Sequence, residues 1–198
     1  MGRALALLLL LLPAWGQTLN CDATELTYDF SAPGPLTSVT VGGQPYYVAN
    51  LASYLLLLEG AAPMRFLPTG VAGGTGYRVA CTVTTPNRGG GRGGTLCGVG
   101  TTRCLRVTSV TGSLPVDWTG RLYVLVQVFQ VVSGNVTNHV PTPTLLSGVP
   151  DNRGLASIGR NTTALLRLYY WVELSPADPF PALPATGTLT LEYQIQGD

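Results

Sequence analysis

Residues 121–132, RLYVLVQVFQVV, carry almost no polar relief. One alternate set is Leu122, Val124, Val126 and Val128; the other is Tyr123, Leu125, Gln127, Phe129 and Val131. β-Branched and aromatic side chains at this density favour a strand, because their stiff χ1 suits a pleated surface. With both sets largely apolar, neither face can be left to water. The pattern predicts the central strand of a sandwich, one face on an opposing sheet and the other under a covering loop.

Other stretches follow the same period of two. Residues 163–174, TALLRLYYWVEL, put Arg167, Tyr169, Trp171 and Glu173 on one face and Leu166, Leu168, Tyr170 and Val172 on the other. Residues 186–196 alternate most cleanly, with Leu189, Leu191, Tyr193 and Ile195 set against Thr188, Thr190, Glu192, Gln194 and Gln196. That predicts a closing strand with one wet face. Residues 77–85 turn Tyr77, Val79, Cys81 and Val83 inward, and residues 23–30 do the same with Leu26, Tyr28 and Phe30. Shorter strands are expected at 36–41, 45–49 and 103–110, with a turn at 112–120. Residues 51–59, LASYLLLLE, suit helix or strand; their neighbours favour strand. Residues 133–160 read as one long irregular connection holding Pro141, Pro143 and Pro150. Roughly eight to ten short strands with Gly/Pro punctuation and little helix make an all-β fold. The expectation is a disulfide-stapled β-sandwich, immunoglobulin-like or jelly-roll-like, as a single domain over residues 17–198.

Composition narrows the setting. Only 11% of the 198 residues are charged, against about 25% in ordinary globular chains. All eleven basic side chains are Arg, and the net charge is +1, so no field draws the protein to nucleic acid or anionic lipid. A surface of Thr, Ser, Gly, Asn and Gln suits secreted β proteins and proteins that assemble. Residues 1–16 have the form of a signal peptide: Arg3, an apolar run from Ala4 to Leu12, Pro13, then Ala14-Trp15-Gly16 before a cleavage point at Gln17. That run falls short of the ~20 residues that span a bilayer, and no later segment is long and apolar enough. The mature chain is therefore expected to leave the membrane and be secreted, extracellular or at the cell surface. In an oxidising compartment the four cysteines, Cys21, Cys81, Cys97 and Cys104, point to two disulfides. Of three pairings, Cys97–Cys104 with Cys21–Cys81 is preferred: the first closes a short loop and the second staples an N-terminal strand to a later one. Neither their spacing nor the single histidine fits a metal site, and no cofactor is expected.

Candidate chemistry is sparse. The glycine loop GGGRGG at 89–94, with Arg88 or Arg92, has backbone N–H groups for an anion but lacks the features of a phosphate-binding loop. An exported hydrolase would need paired carboxylates in a cleft, or His139 beside a serine; no G-x-S-x-G elbow exists, and the ten carboxylates are scattered. The expectation is no enzyme. Asn135-Val-Thr and Asn161-Thr-Thr match the N-glycosylation acceptor pattern. Trp118, Tyr169 and Trp171, with Arg167, are candidate contacts for a ligand such as a surface glycan or for another subunit; ordinary core is the competing reading for the aromatics.

Three patches resemble the spore-coat-protein-U-type pilins of archaic chaperone–usher fimbriae: Cys21-Asp22-Ala23-Thr24-Glu25-Leu26-Thr27-Tyr28, Val79-Ala80-Cys81-Thr82-Val83 and Gly187-Thr188-Leu189-Thr190-Leu191-Glu192-Tyr193. The resemblance implies an immunoglobulin-like sandwich completed by a neighbour's strand, and hence a polymer. The family's donor strand precedes its first Cys, whereas here only Gln17 to Asn20 do so after cleavage. The Cys97–Cys104 loop and the extra length also depart from the pattern. The expected function is a secreted structural subunit that self-associates through strand edges into an extracellular filament or surface layer. The alternative is a monomeric module that binds a carbohydrate or protein ligand.

Overall fold

The computed structural model describes residues 16–30, 37–41, 44–48, 64–71, 78–88, 95–175, 177–178 and 185–196. The leader through residue 15, the 51–59 run and the GGGRGG loop lie outside them. The described residues form two antiparallel six-stranded sheets and a separate two-stranded hairpin. In chain order the strands are β1 (Thr18–Cys21), β2 (Glu25–Asp29), β3 (Thr37–Val41), β4 (Gln44–Val48), β5 (Met64–Phe66), β6 (Gly70–Val71) and β7 (Arg78–Thr84). They continue with β8 (Arg103–Ser113), β9 (Leu122–Ser133), β10 (Val136–Asn138), β11 (Thr144–Leu145), β12 (Gly154–Ile158), β13 (Thr163–Leu174) and β14 (Thr186–Gln196). The first sheet runs β1-β7-β13-β9-β11, with β5 also on β13, and the second runs β10-β12-β8-β14-β2-β6. Strands β3 and β4 make the hairpin.

Alternation decides what goes inside. Val79, Cys81, Val83, Leu166, Leu168, Tyr170, Leu122, Val124 and Val126 from the first sheet are buried in the same cluster as Leu26, Tyr28, Leu105, Val107, Leu155, Ile158, Leu189 and Leu191 from the second. Fully burying one such aliphatic or aromatic side chain contributes roughly 1.5–3 kcal/mol. The first sheet also has an apolar outer face: Leu67, Leu125, Tyr169 and Trp171 form a smaller buried cluster, with Tyr123 against it. The second face expected for residues 121–132 is therefore covered only in its first half, at Leu125 with Tyr123 and with Leu67, just after β5, as part of the cover; Phe129 and Val131 of the same set are exposed.

The position expected for residues 121–132 is held by β13 instead. β13 bonds β9 along its length on one edge, and on the other bonds β7 over Thr163–Tyr169 and β5 over Val172–Leu174. β9 has β13 on one side, while on its other edge β11 reaches only Tyr123 and Val124. β8 is longer than the expected 103–110 segment and runs on to Ser113 because Gly112 lets the ladder continue. Gly112 sits at φ +103°, and a Cβ there would lie 2.2 Å from the Thr188 carbonyl oxygen of β14. Within the expected long connection, β12 is a fully buried strand between β10 and β8.

Both preferred disulfides are present. Cys21–Cys81 joins paired positions of β1 and β7, and Cys97–Cys104 ties a loop to the start of β8. Sequence separations of 60 and 7 imply, by loop-closure entropy, stabilisations of about 4 and about 2 kcal/mol. Replacing Cys21 and Cys81 together by Ala should therefore cost more stability in urea unfolding than replacing Cys97 and Cys104; the reverse order would contradict the entropic account.

The core also contains the side chains of Tyr28, Tyr170 and Tyr193, whose hydroxyls are shut away from solvent. Burial above all pushes these three hydroxyls well above the ordinary tyrosine value. The folded protein keeps their protons where the unfolded chain loses them, near pH 10. Stability should be flat with respect to these groups below that pH and fall above it. Urea midpoints measured either side of pH 10, with phenolate absorbance followed in parallel, test this: the signal of these three tyrosines should appear only on unfolding.

Candidate functional site

The sequence candidates do not gather into one site. Trp118 sits in the turn before β9, where its carbonyl accepts from the N–H groups of Arg121 (3.0 Å) and Leu122 (2.8 Å). Its ring is half-buried against the inter-sheet core. Tyr169 and Trp171 lie on the opposite face of the first sheet, only 7% and 1% exposed. Trp171 stacks on Tyr123 with ring centroids 5.9 Å apart, and the Tyr169 hydroxyl donates to Gln127 Oε1 at 3.3 Å. The side chains that would form a sugar platform are thus packed as core, since large aromatics gain most from burial. Arg167 is half-buried, with its guanidinium 3.3 Å from the centroid of Phe129.

Two arrangements meet part of what a hydrolase would need. A cleft of about 360 Å³ is lined by Gly120, Arg121, Tyr123, Glu173, Ser175 and Asp178. Its two carboxylates are each held by arginine: Glu173 by Arg65 at 3.1 Å, Asp178 by Arg121. The Arg121 side chain first, then the Ser175 backbone N–H, lowers Asp178 to about 2. A glycosidase acid needs the opposite shift, upward toward neutrality. Elsewhere, His139 Nε2 lies 2.7 Å from Ser157 Oγ. Ser157 is on β12, 5% exposed, and its Oγ also accepts the Gly98 N–H at 3.1 Å. A nucleophile must reach substrate, and this hydroxyl is covered by the loop that it holds. Ser157 stands eighteen residues from His139 in a Pro-rich stretch, so no motif links the two in sequence.

That loop, residues 95–104, is fastened by more than its disulfide. The Asp151 carboxylate accepts from the backbone N–H groups of Thr95 (2.9 Å), Leu96 (2.6 Å) and Cys97 (2.6 Å), and from the Thr95 hydroxyl (2.9 Å). These bonds, that to Cys97 first, hold the carboxyl well below the usual carboxylate range. Asp151, Asn152 and Arg153 are all left-handed, at φ 52°, 53° and 64°, a conformation costing roughly 1–2 kcal/mol per non-glycine residue. Next in the chain, Gly154 passes so close to the disulfide that a Cβ would lie 2.7 Å from Cys97 Cβ. The strained turn thus aims Asp151 at the loop and brings the chain against the disulfide.

The remaining feature is an edge. On the outer side of β9, Val126 N–H donates to the Val140 carbonyl (2.9 Å), and Asn138 Nδ2 donates to the Val126 carbonyl (2.7 Å). Beyond Gln127 no described residue bonds that side of the backbone. Phe129, Val131 and Val132 are 47%, 42% and 68% exposed. Two bulges mark this half: Val132 lies between Val131 and Ser133, which oppose Ala164 and Thr163, and Phe129 between Val128 and Gln130, which oppose Leu166 and Leu165. Asn135 and Asn161, the two acceptor asparagines, are both exposed beside the end of this strand. Asn135 N–H donates to Thr162 Oγ1, and Ser133 Oγ to the Asn161 carbonyl.

Among the described residues no group of His, Cys, Asp and Glu could hold a metal ion, and no helix is long and apolar enough to cross a membrane. Comparison with protein-family models, with curated proteins and with solved structures finds no match.

Asp151→Asn should loosen the 95–104 loop. A depressed carboxyl stabilises the fold above its unfolded value, near pH 4, and loses that contribution as pH falls below it. At neutral pH the Asn variant should show faster hydrogen exchange at Thr95, Leu96 and Cys97 and faster thiol reduction of Cys97–Cys104. Unchanged exchange would mean that the carboxylate does not hold the loop.

Proposed function

We propose that the protein is a secreted structural subunit whose copies join through sheet edges into an extracellular filament or cell-surface layer. One observation carries this reading: the outer edge of β9 from Gln127 to Ser133 lacks backbone partners among the described residues, bears no charge, and exposes Phe129, Val131 and Val132. Proteins blunt such edges with lysine, proline or a covering segment. Among the described residues, bulges are the only device of that kind along the stretch. Each backbone hydrogen bond gained there contributes roughly 0.5–1.5 kcal/mol, and burying exposed Val or Phe adds to it, so assembly would depend on concentration. The two disulfides and the leader pattern support export. The arginine-held carboxylates of the cleft and the covered Ser157 favour a structural role over hydrolysis. The burial of Tyr169 and Trp171 favours it over glycan binding at those rings.

The test is sedimentation and negative-stain imaging of the exported protein over a range of concentrations. Oligomers or filaments that grow with concentration are expected. Val132→Lys, at an exposed edge position, should shift the distribution to monomer while leaving thermal stability nearly unchanged. A protein that stays monomeric at high concentration would overturn the proposal.

A further inference from the structure

Among the described residues the first sheet has a second open edge, and its level in the sheet is set by three ladders. β1 pairs with β7, β7 with β13 and β13 with β9, each antiparallel. Thr18 stands opposite Thr84, Thr84 opposite Thr163, and Thr163 opposite Ser133. The next rows read Leu19–Val83–Ala164–Val131, Asn20–Thr82–Leu165–Gln130 and Cys21–Cys81–Leu166–Val128. At this level the sheet is four strands wide. One side ends in β1, whose backbone has no ladder partner but β7 among the described residues. The other side ends in the apolar half of β9 that has no outer partner among the described residues.

From this we infer that the partner for the β9 edge is β1 of a second copy, added head to tail. The inference rests on the edge-assembly reading above and names the contact. Three successive antiparallel steps leave β1 running opposite to β9. A neighbour displaced along the sheet, in the same orientation, therefore presents β1 antiparallel to β9 with no stagger, so that each of the four rows continues across the boundary. Rows keep their faces: Val131 of one copy falls beside Leu19 of the next, and Leu19 already packs against its own core. Neither Thr18–Cys21 nor Val128–Ser133 contains a charged residue, so no like charges oppose the pairing. The joined edges are different surfaces, so the contact is heterologous and leaves a free edge at each end, which gives an open chain of subunits. Two β9 edges meeting about a two-fold axis would instead close a dimer.

Asn20 and Gln130 share a row and are both exposed. Within one chain they are three strand spacings apart, roughly 14 Å, too far for a disulfide. The exported double variant Asn20→Cys with Gln130→Cys, held under mild oxidation at a concentration where the unmodified protein assembles, should give a ladder of covalent multimers on a non-reducing gel. Either single variant should stay largely uncrosslinked. If Gln130→Cys alone gives dimers as readily as the pair gives multimers, β9 pairs with β9 and the inference fails. If assemblies form in the micrograph and no variant crosslinks, assembly uses another contact, and this inference falls while the proposed function stands. If nothing assembles at any concentration, both fall.

Discussion

β13 is the strand that the rest of this fold depends on, because its backbone has nowhere else to go. Ala164, Leu166 and Leu168 face the inter-sheet core while Tyr169 and Trp171 are sealed on the opposite face. A buried peptide group left unpaired costs about as much as a lost hydrogen bond or more, so both edges of such a strand must be occupied. β9 fills one, and β7 followed by β5 fills the other. The partners come from distant parts of the chain, with Arg78 paired to Tyr169 and Tyr123 to Trp171. This core forms only when long loops have closed, and Cys21–Cys81 restrains one of those closures, that of β1 on β7.

Strand faces were legible in the sequence and strand edges were not. The bounds and both faces of the 163–174 and 186–196 strands can be read directly from the sequence, because alternation is a property of side chains. Edge pairing is a property of backbone, which every residue shares. Residues 121–132 therefore read as central on the strength of two apolar faces, while among the described residues their outer edge is covered only near Tyr123 to Val126. β12 is illegible for a related reason: GLASI is buried at all five positions and carries no alternation. β1 is only four residues long and becomes a strand through β7 more than through its own propensity. Trp171 reads as a candidate ligand contact from sequence, but Leu67 and Tyr123 pack beside it; no local pattern announces which distant residue will cover an aromatic face.

The polar residues outside the core hold irregular chain in place. Asp151 ties down the amides of Thr95, Leu96 and Cys97, and Ser157 holds Gly98 while also meeting His139. The left-handed turn at Asp151–Arg153 is unfavourable in isolation. It persists because the carboxylate aimed by it satisfies three donors at once and because the disulfide fixes the loop on which those donors lie. With so few ionised groups in the chain, a carboxylate at this junction is better explained by geometry than by solubility.

The same scarcity of charge bears on the open edges. The outer strands of the second sheet are brief, three residues in β10 and two in β6, too short to template much pairing. In the first sheet the exposed half of β9 is longer, and its bulges at Phe129 and Val132 raise the local twist. A twisted, bulged edge is a poor template for a long flat strand. On the proposed assembly the partner would be a short strand that matches its few regular rows, and β1 offers four residues at that level. The bulges would then act on selectivity: they exclude extended partners and leave room for a strand of the length that this chain itself carries on the opposite edge.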